Sequence, residues 1–290
     1  MMRTLFFLIG LSLSNLSFAA SKKEFIRIFD LGGSGLKTAV IQKNGNKFTI
    51  VRPEVNLGYI PENFRNSASD WIRIKVPSIE EERAVGYKFG ACLASYEKLW
   101  ENKKVPNIYK CMSMQDILKI PKLKEESDSL SHLRAAYIQY PKKSVLTFAL
   151  GTGVALAATN SKGEIRNSSE MKALCGDHPW NVKWIKEGKF AGKPLYEVLG
   201  GGDRTWGSYT LTKEEYVEHF KIIISKVLEN YKRMDWTPPQ VISCSGGTAK
   251  YKLKGDSLKE LRSWLDSKGI KLVKIDNAAL FGPAFLACGF

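Results

Sequence analysis

Two glycine-rich segments constrain this chain more than any other feature: Phe29-Asp30-Leu31-Gly32-Gly33-Ser34-Gly35-Leu36-Lys37 and Leu150-Gly151-Thr152-Gly153. Each lies between two apolar runs, Phe25–Ile28 and Thr38–Ile41 for the first, Val145–Phe148 and Val154–Ala157 for the second. A strand, a glycine turn and a returning strand form a hairpin whose tip exposes backbone N–H groups. Glycine reaches φ > 0 and lets those groups approach a ligand closely. Concave rows of N–H groups bind anions, phosphate above all. Two such tips, far apart in sequence, predict a clamp that holds a polyphosphate from two sides. Gly151-Thr152-Gly153 alone would also suit an ordinary turn. The first segment says more, because Asp30 ends the strand, Gly32 and Gly33 follow, and then come the Ser34 hydroxyl and the Lys37 amine. It is neither a P-loop nor a dinucleotide fingerprint, since no helix is expected after the turn.

A chain of 290 residues with 44% hydrophobic and 25% charged content has room for one large or two medium globular domains. Residues 1–20 stand apart. Met1-Met2-Arg3 gives a basic start, Leu5 to Leu16 is apolar, and Ser17-Phe18-Ala19-Ala20 offers small residues for cleavage after Ala19 or Ala20. This pattern predicts a signal peptide and an exported mature protein, and no other stretch reaches membrane-spanning length. The net charge of +15 is spread along the chain without a dense Lys/Arg block. It predicts a general attraction for anions and no sequence-specific nucleic-acid partner. The five cysteines are scattered. Cys175 and His178 have zinc-like spacing but no second pair to complete a site. Cys244 and Cys288 lie in apolar contexts and are expected to be core thiols.

Further along, Lys47–Val51 is expected to be a third strand, residues 52–75 an irregular excursion, and Ser78–Trp100 a helix opened by a capping box. A second helix is expected at Ser127–Tyr140. Residues 160–210 are glycine- and tryptophan-rich and are expected to be irregular and to form part of the site, with Gly200-Gly201-Gly202 itself a plain loop. Thr212–Met234 has the strongest helical pattern, with a capping box at Thr212 and an apolar face of Tyr216, Phe220, Ile223, Val227 and Tyr231. Strands at Gln240–Cys244 and Ile270–Ile275 alternate with helices at Asp256–Asp266 and Asn277–Ala287. A meander followed by alternating helices and strands, occurring twice, predicts α/β architecture in two similar lobes.

The set of motifs resembles the ROK sugar kinases of the actin/Hsp70/hexokinase superfamily, including glucokinases and polyphosphate glucokinases, over nearly all of the mature chain. Asp30–Lys37 resembles the first phosphate motif, D-x-G-G-T-x-x-K, with Ser34 in place of Thr. Leu150–Val154 resembles the second phosphate motif. Ser245-Gly246-Gly247-Thr248 resembles the adenosine-binding glycine pair, and Asn277–Ala284 the terminal helix that returns to the first lobe.

The resemblance implies a two-lobed actin-like (ribonuclease H-like) fold with a cleft between lobes. It implies an N-terminal lobe over residues 24–126, completed by 277–290, and a C-terminal lobe over 127–276. It further implies a kinase acting on a hexose hydroxyl with ATP or polyphosphate as donor. Gly32, Gly33, Ser34, Gly151, Thr152 and Gly153 would cradle the donor phosphates, with Gly246, Gly247 and Thr248 on the nucleotide side. Asp30 would hold Mg²⁺ through water, because this ion keeps most of its own water shell. Lys37 would either contact phosphate or face solvent. Asp128 takes the place of the family's proton-accepting Asp, with Ser127 where the family has Asn; the other reading is a simple helix cap. Glu170 takes the place of the sugar-binding Glu in E-x-G-H, but Lys172 and Ala173 replace the Gly and His. The partners that the resemblance implies are a sugar and a nucleotide or polyphosphate, and it is compatible with a homodimer.

Overall fold

The computed structural model describes residues 23–102, 112–166 and 181–290. Its frame is two five-stranded sheets of the same topology. The first contains β1 (Glu24–Gly32), β2 (Gly35–Asn44), β3 (Lys47–Gly58), β4 (Lys88–Leu93) and β5 (Lys124–Ser127), in the order β3-β2-β1-β4-β5. The second contains β6 (Val145–Leu150), β7 (Val154–Thr159), β8 (Ile165–Arg166), β9 (Val241–Ser245) and β10 (Lys271–Ile275), in the order β8-β7-β6-β9-β10. In each sheet a three-stranded antiparallel meander is extended by two parallel strands. The expected pair of similar lobes is therefore present, and the two glycine hairpins occupy equivalent places in them.

Helices fill the connections: α1 (Ala68–Lys75), α2 (Ile79–Ala84), α3 (Met114–Leu118), α4 (Asp128–Gln139), α5 (Leu195–Leu199), α6 (Gly207–Thr210), α7 (Lys213–Arg233), α8 (Gly247–Lys252), α9 (Asp256–Asp266) and α10 (Ala278–Ala287). The expected α7 is observed with its capping box: the Thr212 side chain accepts from Glu215 N–H, and the Glu215 carboxylate accepts from Thr212 N–H. Its apolar face, Tyr216, Phe220, Ile223, Val227 and Tyr231, is buried in the core of the second lobe.

Several expectations in the first lobe are overturned. The helix expected over Ser78–Trp100 stops at Ala84, and the Ser78 hydroxyl donates to the Glu82 carboxylate at 2.9 Å instead of capping the helix. Gly86, at φ +85°, turns the chain. Lys88–Leu93 then enters the sheet as β4, parallel to β1. A short continuous apolar run fits a buried parallel strand as well as a helix, and here the sheet claims it. Residues 52–75 are irregular only in part: β3 runs on to Gly58 and α1 begins at Ala68, with a single 3-10 turn, Glu62–Phe64, between them. Being the edge strand, β3 tolerates Pro53. β5 was not anticipated. Of the expected core thiols, Cys244 is buried and Cys288 only half-buried. Cys175, His178 and residues 1–20, the expected signal peptide, lie outside the described residues.

Two helices join the lobes. α4 links β5 to β6 and packs Leu133, Ala135 and Ala136 against Val145, Ala157 and Val241 of the second sheet. α10 follows β10 yet lays Leu280 and Ala284 on Ile26, Ile28 and Ile41 of the first sheet. Glycines permit the close approach. A Cβ at Gly282 would lie 2.1 Å from the Ser131 carbonyl oxygen, and one at Gly90 would lie 2.4 Å from that of Pro283. Gly→Ala inside a helix is ordinarily stabilising by ~1 kcal/mol. Here Gly282→Ala is expected to destabilise by about 1–3 kcal/mol, because two backbones would have to separate. Urea unfolding midpoints test this, and a stabilised variant would refute the packing.

Candidate active site

The carboxyl ends of β1, β4, β5, β6 and β9 converge on one cavity of about 1200 Å³. Open α/β sheets collect ligands at such strand ends. The cavity is lined by Asp30, Gly32, Gly33, Ser34, Lys37, Asp128, Gly151, Thr152, Gly153, Gly246, Gly247 and Thr248. The structure thus brings together residues from four separate sequence segments. Glu170, the expected sugar-binding residue, lies outside the described residues.

The hairpin tips touch each other. A Cβ added to Gly33 would lie 2.2 Å from Thr152 Oγ1 and 2.7 Å from its Cβ, so only glycine fits there. Both tips are held from behind. The Tyr59 hydroxyl donates to the Gly33 carbonyl at 2.8 Å. The Gly151 carbonyl accepts from Gly201 N–H at 2.8 Å and from the Thr248 hydroxyl at 3.0 Å. Thr248 therefore spends its hydroxyl on positioning the second hairpin. The Gly200–Gly202 run is more than a plain loop. Side chains there would strike the Thr152 carbonyl, Thr248 or Trp206. Gly246 adopts φ +95°, where a Cβ would meet the Leu150 carbonyl at 2.4 Å.

Asp30 and Lys37 are cross-strand partners in the first hairpin. Lys37 Nζ lies 3.9 Å from Asp30 and 3.2 Å from Glu54, so it is neither free in solvent nor committed to one carboxylate. Burial raises the Asp30 carboxyl from 3.8 to about 6, with Lys37 pulling it back and Glu54 and Asp128 adding to the rise. Asp128 opens α4, and its Oδ1 accepts from Ser129 N–H at 2.7 Å. Burial raises its carboxyl too. The native state thus binds the Asp30 proton more tightly than the unfolded chain does. That contribution favours folding below about pH 4 and is lost as pH rises through about 6. Asp30→Asn is therefore expected to be more stable than the parent by roughly 2–3 kcal/mol at pH 8, with no such gain near pH 4. Urea midpoints at the two pH values check this, and an equal difference at both would refute it.

Sequence reasoning missed Ser95, Lys98, His132 and Tyr251 in the lining, whereas Tyr196, Trp206 and Tyr209 fall in the 160–210 stretch expected to form part of the site. The glycine- and tryptophan-rich composition of that stretch was the local signal that marked it. Among the described residues no cluster of three or more His, Cys, Asp or Glu side chains could hold a metal unaided. No described helix is long and apolar enough to cross a membrane.

No protein-family model and no curated protein matches the sequence. Solved structures do. The chain aligns with a ROK hexokinase from Thermus thermophilus at a TM-score of 0.56 and 15% identity, covering 90% of this chain and 97% of the other. The fold is that of the ROK sugar kinases. It is shared with an inorganic polyphosphate/ATP-glucomannokinase from Arthrobacter sp. strain KM (TM-score 0.52, 15% identity, 91% and 98% coverage). It is shared equally with a ROK-family transcriptional regulator homologous to the E. coli MLC protein (TM-score 0.55, 11% identity, 90% and 77% coverage). At such identities the ROK likeness concerns architecture, and chemistry has to be argued from the cavity.

Proposed function

We propose that the protein is a carbohydrate kinase that moves a phosphoryl group from ATP or polyphosphate to a hexose hydroxyl. One observation carries the reading: a carboxylate at a helix start, Asp128, shares one cavity with two glycine hairpin tips in a sugar-kinase fold. Phosphoryl transfer needs positioning and charge neutralisation more than covalent chemistry. In this reading the N–H groups of Gly32, Gly33 and Gly153, with the Ser34 and Thr152 hydroxyls, cradle the donor phosphates, while Gly151, whose N–H donates to the Gly153 carbonyl at 3.0 Å, shapes the turn. Gly246 and Gly247 take the nucleotide side, and Thr248 holds Gly151 in register. Asp128 accepts the proton of the attacking hydroxyl; its raised carboxyl makes it a stronger base. Lys37 balances charge beside Asp30, and Glu170 holds the sugar. A single buried carboxylate at the phosphate tips fits Mg²⁺, which takes one or two carboxylates beside substrate phosphates and keeps its other waters. Asp30 would hold that ion through water, and the ion would neutralise donor charge. Closure of the lobes would exclude water as a competing acceptor.

Two features bear on the donor. Tyr209 and Tyr251 line the cavity while 61% and 60% exposed, so each offers a ring face on which a base can stack. That favours a nucleotide. The net charge of +15 would favour polyphosphate. The donor question ties to the leader reading of residues 1–20. An exported kinase would use polyphosphate or be delivered into another cell's cytoplasm, and N-terminal sequencing of the secreted protein tests the export step. Sedimentation tests the homodimer.

A second reading, a sugar- or nucleotide-sensing protein, is favoured by Ser127, Lys172 and Ala173 standing where the kinase motifs have other residues. The regulator that shares the fold adds to it. One experiment separates the readings. The mature protein is incubated with Mg²⁺, a hexose panel including N-acetylated sugars, and either ATP or polyphosphate. Sugar phosphate formation supports the kinase. Phosphate release without a sugar product means a phosphohydrolase on this fold. Sugar or nucleotide binding without turnover supports the sensor and sinks both enzyme readings.

A further inference from the structure

His132 lies one helical turn after Asp128 on α4, at the i+4 spacing that puts two side chains on one face. It lines the cavity and is 7% exposed. Its Nδ1 lies 2.5 Å from the hydroxyl of Ser245, the last residue of β9 before Gly246. This contact joins the helix that carries Asp128 to the strand that carries the second lobe's glycine pair.

The tautomer follows from the hydrogen-bond accounting. Ser245 is 2% exposed, and among the described residues its hydroxyl has no other partner. If Nδ1–H were the donor, the Ser245 proton would be buried without an acceptor, the costlier kind of unmet group. Ser245 therefore donates to Nδ1, and the ring proton sits on Nε2. Burial keeps the ring neutral at ordinary pH by lowering its pKa from 6.5 to about 4. Among the described residues Nε2 has no partner, yet it is not one of the fully enclosed unpaired polar atoms. Its remaining surface must open into the cavity that the residue lines.

We propose that His132 donates an Nε2–H hydrogen bond to an oxygen of the phosphoryl group held between Asp128 and Gly246, with Ser245 as the positioning residue that sets the tautomer. This rests on the kinase reading for the identity of the group transferred. A neutral donor suits the task, because it binds an anionic oxygen without forming an ion pair with Asp128. No bond to His132 is made or broken, so the step needs no further reactant.

The test is ¹⁵N spectroscopy of the full mature chain, titrated separately with tripolyphosphate and with a non-hydrolysable ATP analogue. The unliganded protein should show a single Nε2–H tautomer, and Ser245→Ala should show a mixture. Saturation, read from the Gly33, Gly153 and Gly246 amides, should shift the His132 Nε2–H signal. Amide shifts without a His132 shift overturn the inference and leave the kinase reading standing. A His132 shift in a protein that phosphorylates no sugar overturns the kinase reading and leaves the contact standing. In the active enzyme, His132→Phe should lower kcat/KM for the donor by about ten- to a hundredfold, the worth of a hydrogen bond to a charged group. His132→Gln, which retains a donor, should recover part of that loss. Equal loss in both variants, with unchanged tripolyphosphate affinity, would leave only a packing role and overturn the inference.

Discussion

Asp128→Asn is expected to lower kcat for sugar phosphorylation by about 10²- to 10⁴-fold while leaving KM for the sugar within a few-fold, the effect of removing a general base. The substitution keeps the shape and one carbonyl oxygen, so the bond from Ser129 N–H at the start of α4 can persist. Folding should not suffer, because burial already disfavours the charged form of this carboxyl. The pH profile carries a second signature. The base must be ionised to act, so activity of the parent should fall as pH drops through the raised carboxyl pKa. Any residual activity of Asp128→Asn should lack that limb. A coupled sugar-phosphate assay measures both, with thermal unfolding as the control for folding. Full activity in a folded Asn variant would remove Asp128 from the mechanism and return it to the role of a helix cap.

Glu82→Ala is expected to cost about 3–5 kcal/mol of stability, the range for removing one partner from a buried ion pair. Glu82 is 3% exposed and Arg27, in the middle of β1, is 5% exposed. The guanidinium meets both carboxylate oxygens, through Nε at 2.8 Å and through the second terminal nitrogen. Arg52 and Ser78 complete the cluster at 2.9 Å each. Removing the carboxylate strands a cation against a central strand, where among the described residues the Thr38 hydroxyl at 3.3 Å and the Ser78 hydroxyl at 3.5 Å remain. In α2, only six residues long, this cluster and the buried Ile79 side chain together fasten the helix to the first lobe. The double variant Arg27→Met/Glu82→Leu should regain much of the loss, since apolar packing of similar volume replaces buried pairs well. Urea unfolding of the three proteins is the measurement. A loss below about 1 kcal/mol in Glu82→Ala would mean that Arg27 rehydrates freely and that the pair is not structural.

These two residues differ in how openly the chain announces them. Asp128 is legible because it follows an acidic segment, opens a helical run and precedes the second glycine hairpin. Glu82 sits in Ile79-Glu80-Glu81-Glu82-Arg83, which reads as a solvated helix face. Nothing local distinguishes it from Glu80 and Glu81, which remain exposed. Lys88–Leu93 makes the same point for the fold. Its apolar spacing satisfies a helix and a strand equally well, and pairing with β1 settles the matter. The cavity divides along the same line. Gly32, Gly33, Gly151 and Gly153 were identified from turn chemistry. His132 looked like one more helical residue until Ser245 came within 2.5 Å of it.

From the chain alone came the two glycine hairpins, the capped helix α7, the alternation of strands and helices, and the likeness to the ROK kinases. Each of these depends on backbone preferences or side-chain periods within a few neighbouring residues. Long-range packing supplied the rest: the contact of Gly33 with Thr152, the seat of α10 against Ser131 and Gly90, the burial of Arg27 with Glu82, and the bond between His132 and Ser245. Each of those joins residues from distant segments, and no local pattern encodes which will meet. They meet because two sheets of one topology pack about α4 and α10, which brings their carboxyl ends, and the polar groups carried there, to a single cavity.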